Sequence, residues 1–493
     1  MSKFRIVIAL FAIALLSVFR TAPAQAQDPN AGWSEPYQLS SPAGRSSECF
    51  PVADQYGYVH CFWAETLYAD GNSIIKYARF DGSTWTRPND IYMTGLGIKN
   101  VSPVVDQYGT LHILWSEGQN GIAYYAHAPA ADAISVQNWS KPILIDVPAR
   151  PIYLQIDSKG VLHALYTNQT DNSGVYYIRS KDGGLTWSVP TWLDPDIPPN
   201  HVPDNLNFKV DDAGGLHAVW WYGSLDRGVE PNWIRYSHSL DGGDTWSAPV
   251  VLDQVIEENE HFLTSAAPRM IVQGKNVLVI WAAGDLPYRF YSYSTDSGRT
   301  WSTPEHIFGE LHGQAGDGLT VDATGRIHYF AQIRYPLGIY HAYWSQGNWS
   351  NPSLVYLIAE ADSDEGFGDR VHAHDTIPVI RAGNQLVLFF ADGQADPRRR
   401  LFVTYRTLDD TQPFGLVPTP QPTATLATLS KPTLTSPALM PELTITALAQ
   451  SSAETPLLSE VPAPDVAIRV ALIPTLLVLG VLVVLQWRNR QKH

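Results

Sequence analysis

The stretch SKDGGLTWS, residues 180–188, sets a tryptophan at the end of a turn built from charges, glycines and a threonine. Nearly the same string returns as SLDGGDTWS at 239 and STDSGRTWS at 294, with shortened versions DGSTW at 81 and SQGNW at 345. In such a turn the Asp accepts hydrogen bonds from amides of its own loop, Gly supplies a positive φ and Thr closes the loop locally. The Trp then pins the turn between neighbouring sheets, burying on the order of 200 Å². A turn that recurs around a pseudo-symmetric ring is scaffold, so these aspartates are not read as catalytic.

Around these turns run two further patterns. Trp-Ser/Thr-x-Pro occurs at 33, 85, 139, 187, 246, 301 and 349. Between the copies lie VADQYGYVHCFW from 52, VVDQYGTLHILW from 104, QIDSKGVLHALY from 155, KVDDAGGLHAVW from 209 and TVDATGRIHYFA from 320, with degenerate copies from 270 and 379. Each of these is a strand, a tight Asp/Gly turn and a second strand. A Tyr-rich third strand follows, and the Trp-Ser-x-Pro segment is expected as the fourth. Four antiparallel strands roughly every 50 to 60 residues is the period of a propeller blade.

The first Trp-Ser-x-Pro has no strands before it, and the last unit, ending at TYRTLDD, has no such segment after it. Residues 33–39 should therefore complete the blade formed by residues 377–408, closing a ring and protecting its edges. The expectation is an all-β propeller of about seven four-stranded blades. His60, His112, His163, His217 and His328 recur at one blade position, so they are assigned to hydrogen bonds with the hairpin turn rather than to chemistry.

The ends of the chain read differently. Residues 1–26 carry Lys3, Arg5, an apolar run and a small-residue cleavage site, the pattern of an export signal. Residues 411–464 are rich in Pro, Thr and Ser and read as a stalk. Residues 466–487 have the length and apolarity of a transmembrane helix, and the basic tail 488–493 places it inside, leaving the propeller, 27–410, extracellular. The formal net charge is −15 with no basic cluster outside that tail and a short RRR at 398–400, which excludes nucleic acid as a partner. The two cysteines, Cys49 and Cys61, flank one hairpin in an oxidising compartment, which allows a disulfide.

With its SxDxGxTW turns, export signal and blade period, the chain resembles the sialidase superfamily of Asp-box propellers. That resemblance implies extracellular glycans as partners and an arginine cluster for an anionic sugar, with an acid, a tyrosine and a glutamate for hydrolysis. The family's Phe/Tyr-Arg-Ile-Pro string has no copy in the mature chain, and its six blades differ from the seven counted here. Because the repeated turns occupy one rim, any pocket belongs to the other, where strand four passes to the next blade. The candidates there are Arg45, Arg150, Arg269 and Arg370 for substrate, and Glu260, Asp375 and Tyr335 for catalysis. HAHD at 372 and DSDEG at 362 match no complete ligand pattern, so neither a metal nor a cofactor is expected. Three functions stay open: a membrane-anchored glycosidase of sialidase type, a non-catalytic glycan- or protein-binding propeller, and a polysaccharide lyase using His372 or His374 with Tyr335.

Overall fold

The computed structural model describes residues 32–419, apart from 120, 169–172, 198–200, 225–232, 254–264, 285–287, 314–315, 335, 358–373 and 393–399. Seven antiparallel sheets of four or five strands follow one another along the chain. The innermost strands of blades 1 to 7 are Phe50–Ala53, Ile98–Val105, Ile152–Ile156, His201–Val210, Ser265–Gln273, Gly318–Val321 and His374–Arg381. The ring closes as expected. Tyr37–Gln38 pairs with Arg400–Thr407 as the outermost strand of blade 7, so no blade is left with an unpaired terminus.

The cores lie between the blades rather than inside them. Seven buried clusters correspond to the seven interfaces: Val59, Trp63 and Phe80 of blade 1, for example, pack on Val387, Phe389 and Val403 of blade 7. Strand alternation explains this, since each inner sheet presents large side chains to both flanking blades. The half-buried tryptophans of the SxDxGxTW turns sit in these seams. Trp187 of blade 3 meets Tyr125 of blade 2 edge-on, and Trp246 and Trp301 do the same with Tyr177 and Tyr236. Within the turn, Asp182 accepts from Ser180 Oγ at 2.7 Å and from the Thr186 amide at 2.9 Å.

The turn glycines permit this approach. A Cβ on Gly298, whose φ is +82°, would lie 1.9 Å from Tyr236 Oη. The same tyrosines also serve their own blade. Tyr236 Oη lies 2.7 Å from His217 Nδ1, while His217 Nε2 donates to Asp211 of the hairpin turn at 3.3 Å. Tyr77, His60 and Asp54 repeat this in blade 1. Burial pushes the imidazoles of His60, His112, His163, His217 and His328 below their ordinary 6.5, which keeps them neutral.

The Trp-Ser-x-Pro segments differ from expectation. Regular fourth strands begin after the proline, at Asn89–Thr94, Ile143–Pro148, Thr191–Trp192, Val250–Val251 and Glu305–Ile307, because proline has no N–H to give to a ladder. Instead the Ser or Thr clamps the third strand by itself. In all seven copies its amide donates to a third-strand carbonyl and its hydroxyl accepts from the amide of that same residue, as Ser247 does with His238 at 2.8 and 3.1 Å.

Cys49 and Cys61 form a disulfide beside the blade 7 to blade 1 seam. Past residue 410 the chain continues along the turn rim: Phe414 donates to the Ala382 carbonyl and Val417 to that of Gln55. The expected signal (1–26), the anchor (466–487), the tail (488–493) and the stalk beyond 419 lie outside the described residues. No helix among the described residues is long and apolar enough to cross a membrane.

Candidate functional site

Seven inner strands converging on one axis leave a central cavity of about 560 Å³, to which every blade contributes. Its walls are stapled by side chains that bond the next blade's backbone. Asn100 Oδ1 and Ser102 Oγ accept from the amides of Ile152 and Leu154, and Asn207 Oδ1 accepts from that of Met270. Thr376 Oγ1 donates to the Gly316 carbonyl at 2.7 Å. These polar groups fix the strands without competing for a ligand.

The mouth is shaped by bulges at one height in three inner strands, between Asp204 and Asn207, Ala266 and Arg269, and His374 and Ile377. Each inserts one residue against the second strand, which re-aims the side chains that follow. Two of the bulges hold non-glycine residues in the left-handed region, Asn205 at φ +46° and Ala267 at +53°. Ala267 has no polar side chain to offset this, and such outliers concentrate at functional sites.

Charge is arranged unevenly around this mouth. Lys99, Arg150, Lys209 and Arg269 line the cavity, and none forms an ion pair among the described residues. Arg150 Nη1 donates to the Gln119 carbonyl at 3.3 Å. Arg269 Nε donates to the Asp317 carbonyl at 2.7 Å and its Nη1 to that of Pro268, leaving Nη2 for a ligand. Burial lowers the amine of Lys99, helped by Arg150, and that of Lys209, helped by Arg269. Each lysine thus feels the arginine of the neighbouring blade.

Three acids line the same cavity. Asp317 is already committed: Arg289, fully buried, grips its carboxylate with Nε at 2.5 Å and Nη2 at 3.1 Å, and Tyr329 Oη donates to it at 2.5 Å. This buried group holds the carbonyl on which Arg269 rests. Asp204 is different. Burial pushes its carboxyl above the usual range, against the pull of the Asn205 amide, Arg150 and Arg269. Glu48 is the third acid, at the rim of blade 1.

Of the arginines singled out from sequence, Arg150 and Arg269 reach the cavity. Arg45 is exposed on a short strand, Gly44–Ser46, opposite Thr66, and does not line it. Arg370, Glu260 and Tyr335 lie outside the described residues, as does His372. Asp375 falls within the blade 7 bulge, in strand His374–Arg381, with its side chain outside the description.

Sequence reasoning missed Lys99, Tyr153, Asp204, Lys209 and Arg289. The available signal was HVPDNLNFKV, the longest of the inner strands and polar at alternate positions 205, 207 and 209. Arg289 sits in YRFYSYS, one of several Tyr-rich third strands carrying an arginine, and nothing local separates it from the others. Among the described residues no cluster of His, Cys, Asp and Glu could hold a metal ion.

No family model and no curated protein matches the chain. Among solved structures, an ulvan polysaccharide lyase bound to -[GlcA(1-4)Rha3S]- is similar at 12% identity and a TM-score of 0.51, over 74% of this chain and 95% of its own. An α-L-arabinofuranosidase from Fusarium graminearum gives 11% identity and a TM-score of 0.44, over 64% and 94%. The NanB sialidase of Streptococcus pneumoniae gives 12% and 0.42, over 76% and 71%. What these likenesses share with the chain is the propeller fold.

Proposed function

We propose that this protein is a glycan-processing propeller that takes an anionic sugar into the channel mouth and cleaves its glycosidic bond with acid assistance. The observation that carries this is the set of four cations, Lys99, Arg150, Lys209 and Arg269, in one cavity of an acidic chain, with no ion pair among the described residues. Guanidinium groups held with a donor left over suit a carboxylate or a sulfate ester. The cavity volume also lies within the ~300–1,000 Å³ of ligand sites.

In this reading Arg150 and Arg269 clamp the anionic group and Asp204 delivers the proton to the leaving oxygen, a task that needs a carboxyl kept protonated toward neutral pH. Glu260, Asp375 and Tyr335 are the candidates for the second catalytic group, and Arg370 for a further clamp. Most glycoside hydrolases pair such an acid with a second carboxylate, and sialidases put a tyrosine in its place. A second reading, elimination on a uronate, is favoured by Tyr153 lining the cavity with the same cations; the ulvan lyase of the same fold holds a uronate-bearing sugar.

The residues past 407 run along the rim opposite the mouth. The stalk and anchor read from sequence would keep the propeller among extracellular glycans. The test is incubation of the full-length protein with a fluorogenic sialoside and, separately, with ulvan and chondroitin sulfate. Hydrolysis releases fluorophore or reducing sugar, whereas elimination also makes a UV-absorbing unsaturated product. Arg269→Ala should cut turnover by roughly tenfold to a hundredfold. No product from any of the three, with retained binding, makes the propeller a lectin-like binder; no binding overturns the proposal.

A further inference from the structure

A second cavity, of about 330 Å³, opens between blades 5 and 6 on the opposite rim, beside the hairpin turn at Gln273–Asn276 and the short turn at Gly347. Its origin is a missing part. At the interfaces of blades 2 with 3, 3 with 4 and 4 with 5, this place is filled by the next blade's SxDxGxTW loop, whose Gly184, Gly243 and Gly298 close on Tyr125, Tyr177 and Tyr236. Blade 6 instead turns through Gln346 and Gly347 at φ +52° and +81°, a shorter loop that brings no glycine onto Tyr291 and leaves Trp344 and Trp349 to meet it edge-on.

The corresponding tyrosine of blade 5, Tyr291, also lacks its histidine, since Leu278 stands in the second strand. Its hydroxyl donates to Glu305 Oε2 at 2.6 Å instead. Around the space stand the rings of Tyr293 and Trp344, 6.4 Å apart and inclined at 46°, with Tyr293 40% exposed. Asn276 and Thr295 complete a rim of neutral polar groups over an apolar floor. Among the described residues that line it there is no Lys, Arg or His, the reverse of the channel.

We infer that this cavity is a second ligand site, for a neutral saccharide. The aliphatic face of a pyranose ring would lie on Tyr293 and Trp344, with hydroxyl groups meeting Glu305, Asn276 and Thr295. An anion finds no cation there. An organic cation would meet a carboxylate already engaged by the Tyr291 hydroxyl. The inference does not depend on the channel being catalytic, because its readout is binding of uncharged sugar without turnover.

Tryptophan fluorescence and calorimetry on the full-length protein, titrated with cellotetraose, xylotetraose, mannotetraose and, separately, tetramethylammonium, test it. Saturable binding of at least one tetraose is expected, weakened about tenfold by Tyr293→Ala. Asn276→Trp, which fills the mouth from an exposed position, should abolish it with melting temperature unchanged. No binding of any tetraose, binding untouched by both substitutions, or binding of tetramethylammonium alone overturns the inference.

Discussion

The two rims of this ring are built on opposite principles. On the turn rim the same parts recur from blade to blade: an Asp that folds its own loop, a His donating to an Asp, a Tyr reaching across to the next blade. Most of the turn aspartates, histidines and tyrosines there meet a repeating partner, and neighbouring repeats bond each other. On the channel rim the blades diverge: Lys99, Arg150, Asp204 and Arg269 come from four consecutive blades, and no single residue type recurs around the ring. Symmetry of partners produces a scaffold, and broken symmetry leaves charges without partners, which is the condition for binding something else.

Four substitutions and one titration sharpen the contrast. The largest effect on stability should come from Arg289→Met, which strands the Asp317 carboxylate in the interior; removing one member of a buried pair costs about 3–5 kcal/mol. Chemical denaturation measures that cost, and glycan affinity should fall with it, since Asp317 also carries Arg269. A loss below about 1 kcal/mol would mean that Asp317 finds another partner.

Next come two glycines of the turn rim. Gly298→Ala combines a clash with Tyr236 and a positive φ, for about 3 kcal/mol. Gly242→Ala has only its φ of +71° to overcome, with open space around the Cβ, for about 1–2 kcal/mol. Equal losses would show that the tyrosine approach is not what holds the seam.

Acid should attack the turn rim in two stages. The folded histidines resist protonation, so their contribution is present above 6.5 and is lost as pH falls below it, where the unfolded chain takes up protons. Asp182 and Asp241 are held down at about 2 by bonds from Thr186 and Thr245. Their contribution persists above the ordinary 3.8 and is lost as pH falls toward 2. Melting temperature against pH should show both descents.

The channel rim predicts the opposite sign. Because the Asp204 carboxyl is raised in the folded protein, it favours the fold most when protonated and loses that contribution as pH rises through its raised value. Asp204→Asn should therefore stabilise the protein at neutral pH, by less than about 1 kcal/mol, while abolishing glycan cleavage. A destabilised Asp204→Asn would place Asp204 with the scaffold.

The legibility of the sequence follows the same divide. WSEP at 33 with nothing before it and TYRTLDD with nothing after it were enough to predict the closing pair, Tyr37–Gln38 with Arg400–Thr407. The Ser or Thr of the Trp-Ser/Thr-x-Pro strings was visible in every copy, yet its pair of hydrogen bonds to the third strand was not, because that depends on where the proline ends the ladder. Arg150 and Arg269 could be found as the arginines nearest inner strands. Arg45 satisfied the same rule, and pairing with Thr66 takes it elsewhere.

The sequence by itself determined the ring, its number of blades, its closure and the structural role of its repeated turns. Those are consequences of local periodicity and of interactions spanning a few residues, repeated until the pattern shows. Only the tertiary structure decided which charges meet. Arg150 and Arg269 are distant in the chain yet both act on Asp204 because seven inner strands share an axis. Single-residue bulges then choose which side chains face it, and a bulge depends on backbone pairing that alternation of apolar residues does not encode.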